Sequence, residues 1–357
     1  MSTARRDRPR GGFRRTAAGP VGRLGLTVAV VVAVFAGVLP RIADYGQAWL
    51  LVRALTGSET LVIAAVAAVN LISYAPLWMA ALPGLALWRA LLVDLASTAI
   101  SNTVPIGFAF GLGTTAAMLH SFAFPPAAIT RGVALTGIWN NLVKLAMPAL
   151  ALGGLVLVGD APTGLAVAAV LGSAVLLLVV GILVATVTHR RAGARFAAAA
   201  ERLASRAARA RGRRAPTGWV TRTERFRVDS LELLRHRWLA LTVAAVASHV
   251  ALFLVLLTCL RAVDGQGSGV HWVVVLAVFA ITRLVTLVPI TPGALGVAEL
   301  SYVAGLTAVG VGAGAAAAAV FLFRFLTWFV PIPLGLAAWL LWRHGIGRVA
   351  GVARAAA

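Results

Sequence analysis

Long apolar stretches, separated by short polar ones, run through most of the chain, and their lengths decide its class. They cover about 24–40, 60–82, 86–104, 106–122, 132–158, 163–187, 238–260, 271–290, 292–311 and 315–341. Several reach the ~20 residues that a helix needs to cross a ~30 Å hydrocarbon core. A membrane β-barrel would instead show segments of about ten residues with alternating polarity. The pattern therefore predicts an all-α polytopic membrane protein with about 8–10 membrane segments. The first stretch follows basic residues, as in a signal peptide, but ends at Pro40-Arg41 with no Ala-x-Ala cleavage site. It is read as an uncleaved first helix. Residues 41–58, with Tyr45, Trp49 and Arg53, predict a helix at the outer interface. The one sizeable polar region is 189–237, and its Ala/Arg-rich part, 196–214, predicts a helix lying on the inner membrane surface. The resulting organisation is a basic tail (1–23), a first membrane half (24–188), a basic loop (189–237), a second membrane half (238–342) and a C-terminal tail (343–357).

The two membrane halves carry the same interruption. The first reads Val104-Pro105-Ile106, Gly107 and Gly111-Leu112-Gly113; the second reads Val288-Pro289-Ile290, Pro292-Gly293 and Leu295-Gly296. Pro105 and Asn140 are 35 positions apart, as are Pro289 and Arg324, and each arm then reaches another proline, Pro148 or Pro331. Paired Gly/Pro interruptions at corresponding positions point to a transporter-type site near the bilayer midplane. Broken helices free backbone groups, tolerated in a membrane only where protein or a water-filled cavity satisfies them. They also aim helix N-termini inward, which suits an anion.

Charge fixes an expected orientation. The chain has 32 Lys+Arg against 11 Asp+Glu, a net charge of +21, on a composition 60% hydrophobic. Seven basic residues lie between Arg5 and Arg23, fourteen between Arg190 and Arg237, and Arg343, Arg348 and Arg354 lie in the tail. Basic flanks of membrane segments are cytoplasmic by the positive-inside bias, and such clusters attract anionic lipid rather than marking a nucleic-acid surface. With the N-terminus, the loop and the C-terminus all inside, spans between them come in even numbers. The Pro105 and Pro289 units then have opposite orientation, an inverted repeat whose broken segments either cross or re-enter. A bacterial plasma membrane is the expected location.

Within the apolar runs, the polar residues are the candidate chemistry. Lys144, Glu299 and Arg324 sit deep in them, while Asp94, Arg131 and Arg283 lie nearer predicted ends, where they can snorkel. A charge at the bilayer centre costs at least ~2.5–3.5 kcal/mol on insertion scales, so it faces a cavity or a partner. Glu299 and Arg324 can pair with each other; for Lys144 the one evident mate is Asp94. Asn102, Asn140 and Asn141 add hydrogen-bonding groups, as do Ser101, Thr103, Thr286 and Thr291, whose alternative role is capping the helix breaks. Arg324 and Lys144 near broken helices suit a phosphate, which Arg grips with a fork and Lys as a point charge. The substrate-binding set is Asn102, Pro105, Gly107, Asn140, Asn141, Lys144, Pro289, Thr291, Pro292, Gly293, Gly296, Glu299 and Arg324. Trp139, Trp328, Trp339 and Trp342 are read as packing or interface anchors. No catalytic triad order, Walker-type Gly-Lys-Ser/Thr or His-Glu-x-x-His motif occurs, and the lone Cys259, His120 and His249 suit ordinary packing. No metal or cofactor is expected, and 189–237 is not expected to hold a catalytic core.

The stretch Pro289-Ile-Thr-Pro-Gly-Ala-Leu-Gly-Val-Ala-Glu299, followed by Arg324, resembles the lysylphosphatidylglycerol synthase transmembrane family, also called flippase-like. Ser101-Asn102-Thr103-Val104-Pro105 with Trp139-Asn140-Asn141-Leu142-Val143-Lys144 resembles its actinobacterial-type members, and the resemblance covers roughly 60–342. Many members carry an acidic residue and an arginine just after the first Pro-Gly element; here 107–113 hold no charge. The resemblance implies the lipid-translocating part of the synthases, without the soluble domain that attaches the amino acid. It implies a phospholipid or polyprenyl-linked lipid as substrate and membrane lipids with anionic headgroups as partners. Two other functions fit the residues: a membrane-embedded transferase using a lipid-linked donor, with Glu299 or Asp94 as acid or base, and a non-catalytic scaffold for a cell-envelope enzyme.

Overall fold

The computed structural model describes residues 45–104, 107–158, 163–188, 190–209, 219–265, 267–287 and 291–346. The expected first span (24–40), Pro105, Pro289 and the end of the C-terminal tail lie outside them. Among the described residues the secondary structure is helical throughout: α1 Tyr45–Arg53, α2 Gly57–Ser73, α3 Ala75–Ala81, α4 Leu87–Thr103, α5 Gly107–Ser121, α6 Pro126–Val158 and α7 Thr163–Thr188. Then come α8 Arg190–Arg209, α9 Trp219–Asp264, α10 Trp272–Val285, α11 Val297–Ala308, α12 Ala313–Arg324 and α13 Pro331–Leu341. Four stretches are long and apolar enough to cross a membrane: Gly57–Ala81, Pro126–Leu157, Glu224–Asp264 and Ala313–Gly345. Large apolar side chains point outward, including Leu61 (70% exposed), Leu157 (88%) and Leu177 (71%). Such a surface is stable in lipid, not in water.

The local sequence accounts for the main boundaries. Thr56 and Glu59 form a reciprocal cap at the start of α2: the Thr56 amide donates to Glu59 Oε2 (2.8 Å), and the Glu59 amide donates to Thr56 Oγ1 (3.3 Å). Replacing a threonine cap costs about 1 kcal/mol. Thr56→Ala is therefore expected to lower the melting temperature by a few degrees in detergent without unfolding the bundle. Pro331 lies at the start of α13; without an N–H, and with its ring against the preceding turn, it ends the α-helical ladder of α12. The chain answers with a π turn at Phe325–Phe329, closed by the Val330 amide donating to the Phe325 carbonyl (2.9 Å). The basic Arg190–Arg209 helix takes the place expected of a surface helix. The α9 helix runs from Trp219 through residue 237 into the apolar stretch without a break, so the expected loop boundary is not a helix end.

Two helical hairpins organise the interior. In the first, α4 and α5 pack antiparallel at backbone distance. A Cβ on Gly107 would sit 2.3 Å from the Ser101 carbonyl oxygen, and one on Gly111 would sit 2.9 Å from that of Ser97. In the second, α10 packs on α11, with Gly305 seated against Val278. At 1.5 Å per residue these four helices, of 17, 15, 14 and 12 residues, are each ~25 Å or shorter. That is less than a full hydrocarbon thickness. The open base of the first hairpin lies at the end of the last span, where Trp342 Nε1 donates to Ser121 Oγ (2.8 Å). The base of the second lies at the start of that span, since α11 leads directly into α12. The α13 helix is clasped to α4 and α12 to α9, α11 and α1. The alanine run 315–319, almost fully buried, allows the approach on α12, while Phe279 stacks on Tyr302, which meets Phe323 edge-on.

Candidate functional site

The tips of the two hairpins meet. Asn102, at the end of α4, donates through Nδ2 to the Trp328 carbonyl oxygen (3.4 Å). Its Oδ1 lies near Gly293, where a Cβ would also stand 2.2 Å from Trp328 Nε1. Only glycine fits that approach, and its φ of 59° adds a second reason. The meeting point is in the middle third of the last span, Ala313–Gly345. Each hairpin directs the N-terminus of its second helix, Gly107 or Val297, to its tip. Helix N-termini carry partial positive charge.

One carboxylate holds the second tip. Glu299 is 1% exposed; its Oε2 accepts from the Gly296 amide (2.6 Å) and its Oε1 from Arg324 Nε (2.5 Å). Arg324 then donates from a terminal nitrogen to the Gly293 carbonyl (2.8 Å) and lies 5.9 Å from the Trp328 ring centre. Thr291, 4% exposed, donates to the Leu295 carbonyl (2.8 Å), closing the turn. The turn thus has its hydrogen bonds met, while Trp328 Nε1 is buried with no partner.

Beside this pair lies a cluster that has no such compensation. Arg283, near the end of α10, is within electrostatic range of Tyr302, Arg324 and Tyr74, and of Lys144 on α6 and His249 on α9. It is thus a neighbour of both Lys144 and Arg324. Among the described residues neither Lys144 nor the Arg283 guanidinium has a hydrogen bond or ion pair, and Arg283 Nε is buried. His249 is 3% exposed. Its Nδ1 lies 3.0 Å from the Ala245 carbonyl, which can only accept, so this nitrogen carries the proton. Its Nε2 is buried without a partner. Asp94 does not neutralise Lys144, contrary to the expected match. It neighbours Tyr74 and Trp78.

Of the residues singled out from sequence, Asn102, Gly293, Gly296, Glu299 and Arg324 converge at the tips. Gly107 packs α5 onto α4. Lys144 reaches the charge cluster through Arg283 instead of meeting Arg324 directly. Asn140 is half-buried and Asn141 exposed, and neither makes a hydrogen bond among the described residues. Pro292 opens the short turn Pro292–Ala294. Two participants were read otherwise. Arg283 was assigned to a helix end near the surface, and Trp328 to ordinary packing.

These features define a polytopic helical membrane protein in which two short hairpins meet beside partly buried cations. The chain belongs to the family described as the lysylphosphatidylglycerol synthase TM region, whose profile matches residues 24–335. No curated protein matches it.

Proposed function

We propose that the protein moves a phosphate-bearing lipid between the leaflets of a bacterial plasma membrane, without an ATPase of its own. The observation that carries this reading is the pair of uncompensated cations, Lys144 and Arg283, beside the hairpin tips. Charges placed so deep are costly and mark substrate pathways, and two helix N-termini at the same point favour an anion. The hairpins act as an inverted-topology repeat, opening to opposite faces, with the headgroup held between their tips as access alternates. Arg283, Lys144 and the free edge of Arg324 take the phosphate; Asn102 and Trp328 Nε1 supply hydrogen bonds. The transferase alternative loses its better acid, because both oxygens of Glu299 are engaged. The basic segments would face the cytoplasm and hold anionic headgroups there.

The test is reconstitution of the whole chain into liposomes carrying lipids with fluorescent headgroups, followed by quenching from outside. Bleaching beyond the outer-leaflet fraction is expected for an anionic lipid, slowed about tenfold or more in Lys144→Gln and Arg283→Gln. No extra bleaching across neutral, anionic and polyprenyl-phosphate lipids would overturn the proposal.

A further inference from the structure

Just before its lipid-facing part, α9 reads Asp229-Ser-Leu-Glu-Leu-Leu-Arg-His-Arg237. Asp229, Glu232, Leu233, His236 and Arg237 follow the i, i+3, i+4, i+7, i+8 spacing of one helix face. That face forms one wall of a cleft of about 360 Å³, completed by Pro83 in the turn after α3 and by Arg131 of α6. A volume of this size suits a small ligand. The three helices also pack on one another through buried Leu77, Leu135 and Leu241. The cleft lies at one end of their spans. Gly57–Ala81 ends just before Pro83, Pro126–Leu157 begins just before Arg131, and exposed Trp238 and Leu239 follow Arg237 directly. Tryptophan is enriched at the headgroup level of a membrane, so the cleft sits beside lipid headgroups and not, like the hairpin tips, in the middle of a span.

The charges of the cleft balance without pairing. Arg131 and Arg237 stand against Asp229 and Glu232, and among the described residues none of the four is in an ion pair. Arg131 donates to the Asp229 carbonyl oxygen (3.4 Å), while its Nε is buried without a partner. His236 Nδ1 lies 3.1 Å from the Glu232 carbonyl, which can only accept, so Nε2 of the neutral ring is left as an acceptor. A simple anion would meet two carboxylates here, and a simple cation two guanidinium groups. A ligand carrying both signs satisfies both sets. We infer that the cleft binds the headgroup of a zwitterionic phospholipid with a primary ammonium, as a second site separate from the hairpin tips. The phosphodiester takes the Arg131 and Arg237 forks, and the ammonium donates to Asp229, Glu232 and His236. A quaternary ammonium has no N–H to donate, and among the described residues no Trp, Tyr or Phe lines the cleft to hold one. The positive-inside bias puts this end of the spans in the inner leaflet. The site does not depend on the translocation reading.

Native mass spectrometry of the full-length protein in detergent, titrated with lipids of identical acyl chains, tests the site. Phosphatidylethanolamine is expected to bind about threefold or more tighter than phosphatidylcholine, which lacks the N–H donors, and than phosphatidylglycerol, which lacks the ammonium. The Asp229→Asn, Glu232→Gln double variant should bring both ratios close to one. Arg131→Gln should weaken phosphatidylethanolamine by about threefold. Lys144→Gln and Arg283→Gln, at the tips, should keep the preference. Melting curves of each variant establish that it is folded. Soluble glycerophosphoethanolamine should bind about tenfold or more weakly than the lipid, because it has no acyl chains to lie along Trp238 and Leu239. Equal binding of the three lipids by the native protein, or a preference that persists in the double variant, overturns the inference. A preference lost only in the tip variants places the lipid at the tips and overturns it too. Binding of the soluble headgroup as tight as the lipid's overturns the assignment to a membrane lipid.

Discussion

Glu299→Ala protein is expected to lose a large share of its stability. The native carboxylate is 1% exposed and has two obligations, the Gly296 amide and Arg324 Nε. Removing it leaves a guanidinium that is only 15% exposed without its counter-charge, and an amide without an acceptor. Breaking one side of a buried pair costs roughly 3–5 kcal/mol, against a total stability of about 5–15 kcal/mol. Glu299→Gln should be milder, because its amide oxygen can still accept from Gly296. The Glu299→Ala, Arg324→Ala double variant should melt above Glu299→Ala, since it no longer strands the cation. Thermal unfolding in detergent measures all three. A Glu299→Ala melting point within about 2 °C of the native one would show that the pair does not hold the second hairpin.

Gly335→Val is expected to prevent assembly of the first hairpin with the last span. A Cβ at 335 would stand 2.1 Å from the Leu95 carbonyl oxygen and 2.5 Å from Ala99 Cβ. The first neighbour is backbone in the middle of α4, so it cannot rotate away, and the helices must separate. Overpacking of a close contact costs about 1–3 kcal/mol for one or two methyl groups when the surroundings can adjust. Here the adjustment displaces a helix, so the upper end applies, and Gly335→Ala should show the same defect more weakly. Gly113→Ala is the control: nothing lies within 4 Å of its Cβ position, and alanine is the better helix former by about 1 kcal/mol. Monodispersity on gel filtration and the melting temperature distinguish the two positions. A well-folded Gly335→Val protein would mean that α4 and α13 are not held at this distance.

Much of this architecture could be read from residue patterns, because its causes are local. Pro-Ile-Thr-Pro-Gly, with two prolines and a glycine within five residues, disfavours a continuous helix, and a glutamate three residues after Gly296 suits a helix N-terminus. The pairing of Glu299 with Arg324 was one of the options open from sequence, since two opposite charges in apolar runs have few other mates. What failed was depth. Arg283 lies seven positions before the end of the apolar stretch 271–290, a place that reads as near the membrane surface. The chain turns at Thr286 instead, so that this helix end lies at a hairpin tip, where Arg283 Nε is buried without a partner. The match of Lys144 with Asp94 failed for a related reason. The Asp94 carboxylate lies on the Tyr74 and Trp78 side, an orientation that no spacing along the chain encodes. Trp328 became part of the site only because the π turn presents it to Gly293, and that turn depends on a proline three residues later.

The π turn makes the last span a jointed rod. Its upstream arm, α12, travels with α11 and the second hairpin; its downstream arm, α13, travels with α4 and the first. A widened turn next to a proline resists bending less than a continuous α-helix does. Any rocking of one hairpin against the other, as the proposed translocation requires, would therefore be absorbed at this elbow. Trp328 sits on the elbow with Asn102 on one side and Gly293 on the other. A few degrees of flexion there would change the gap between the tips directly, with no rearrangement of either packed arm.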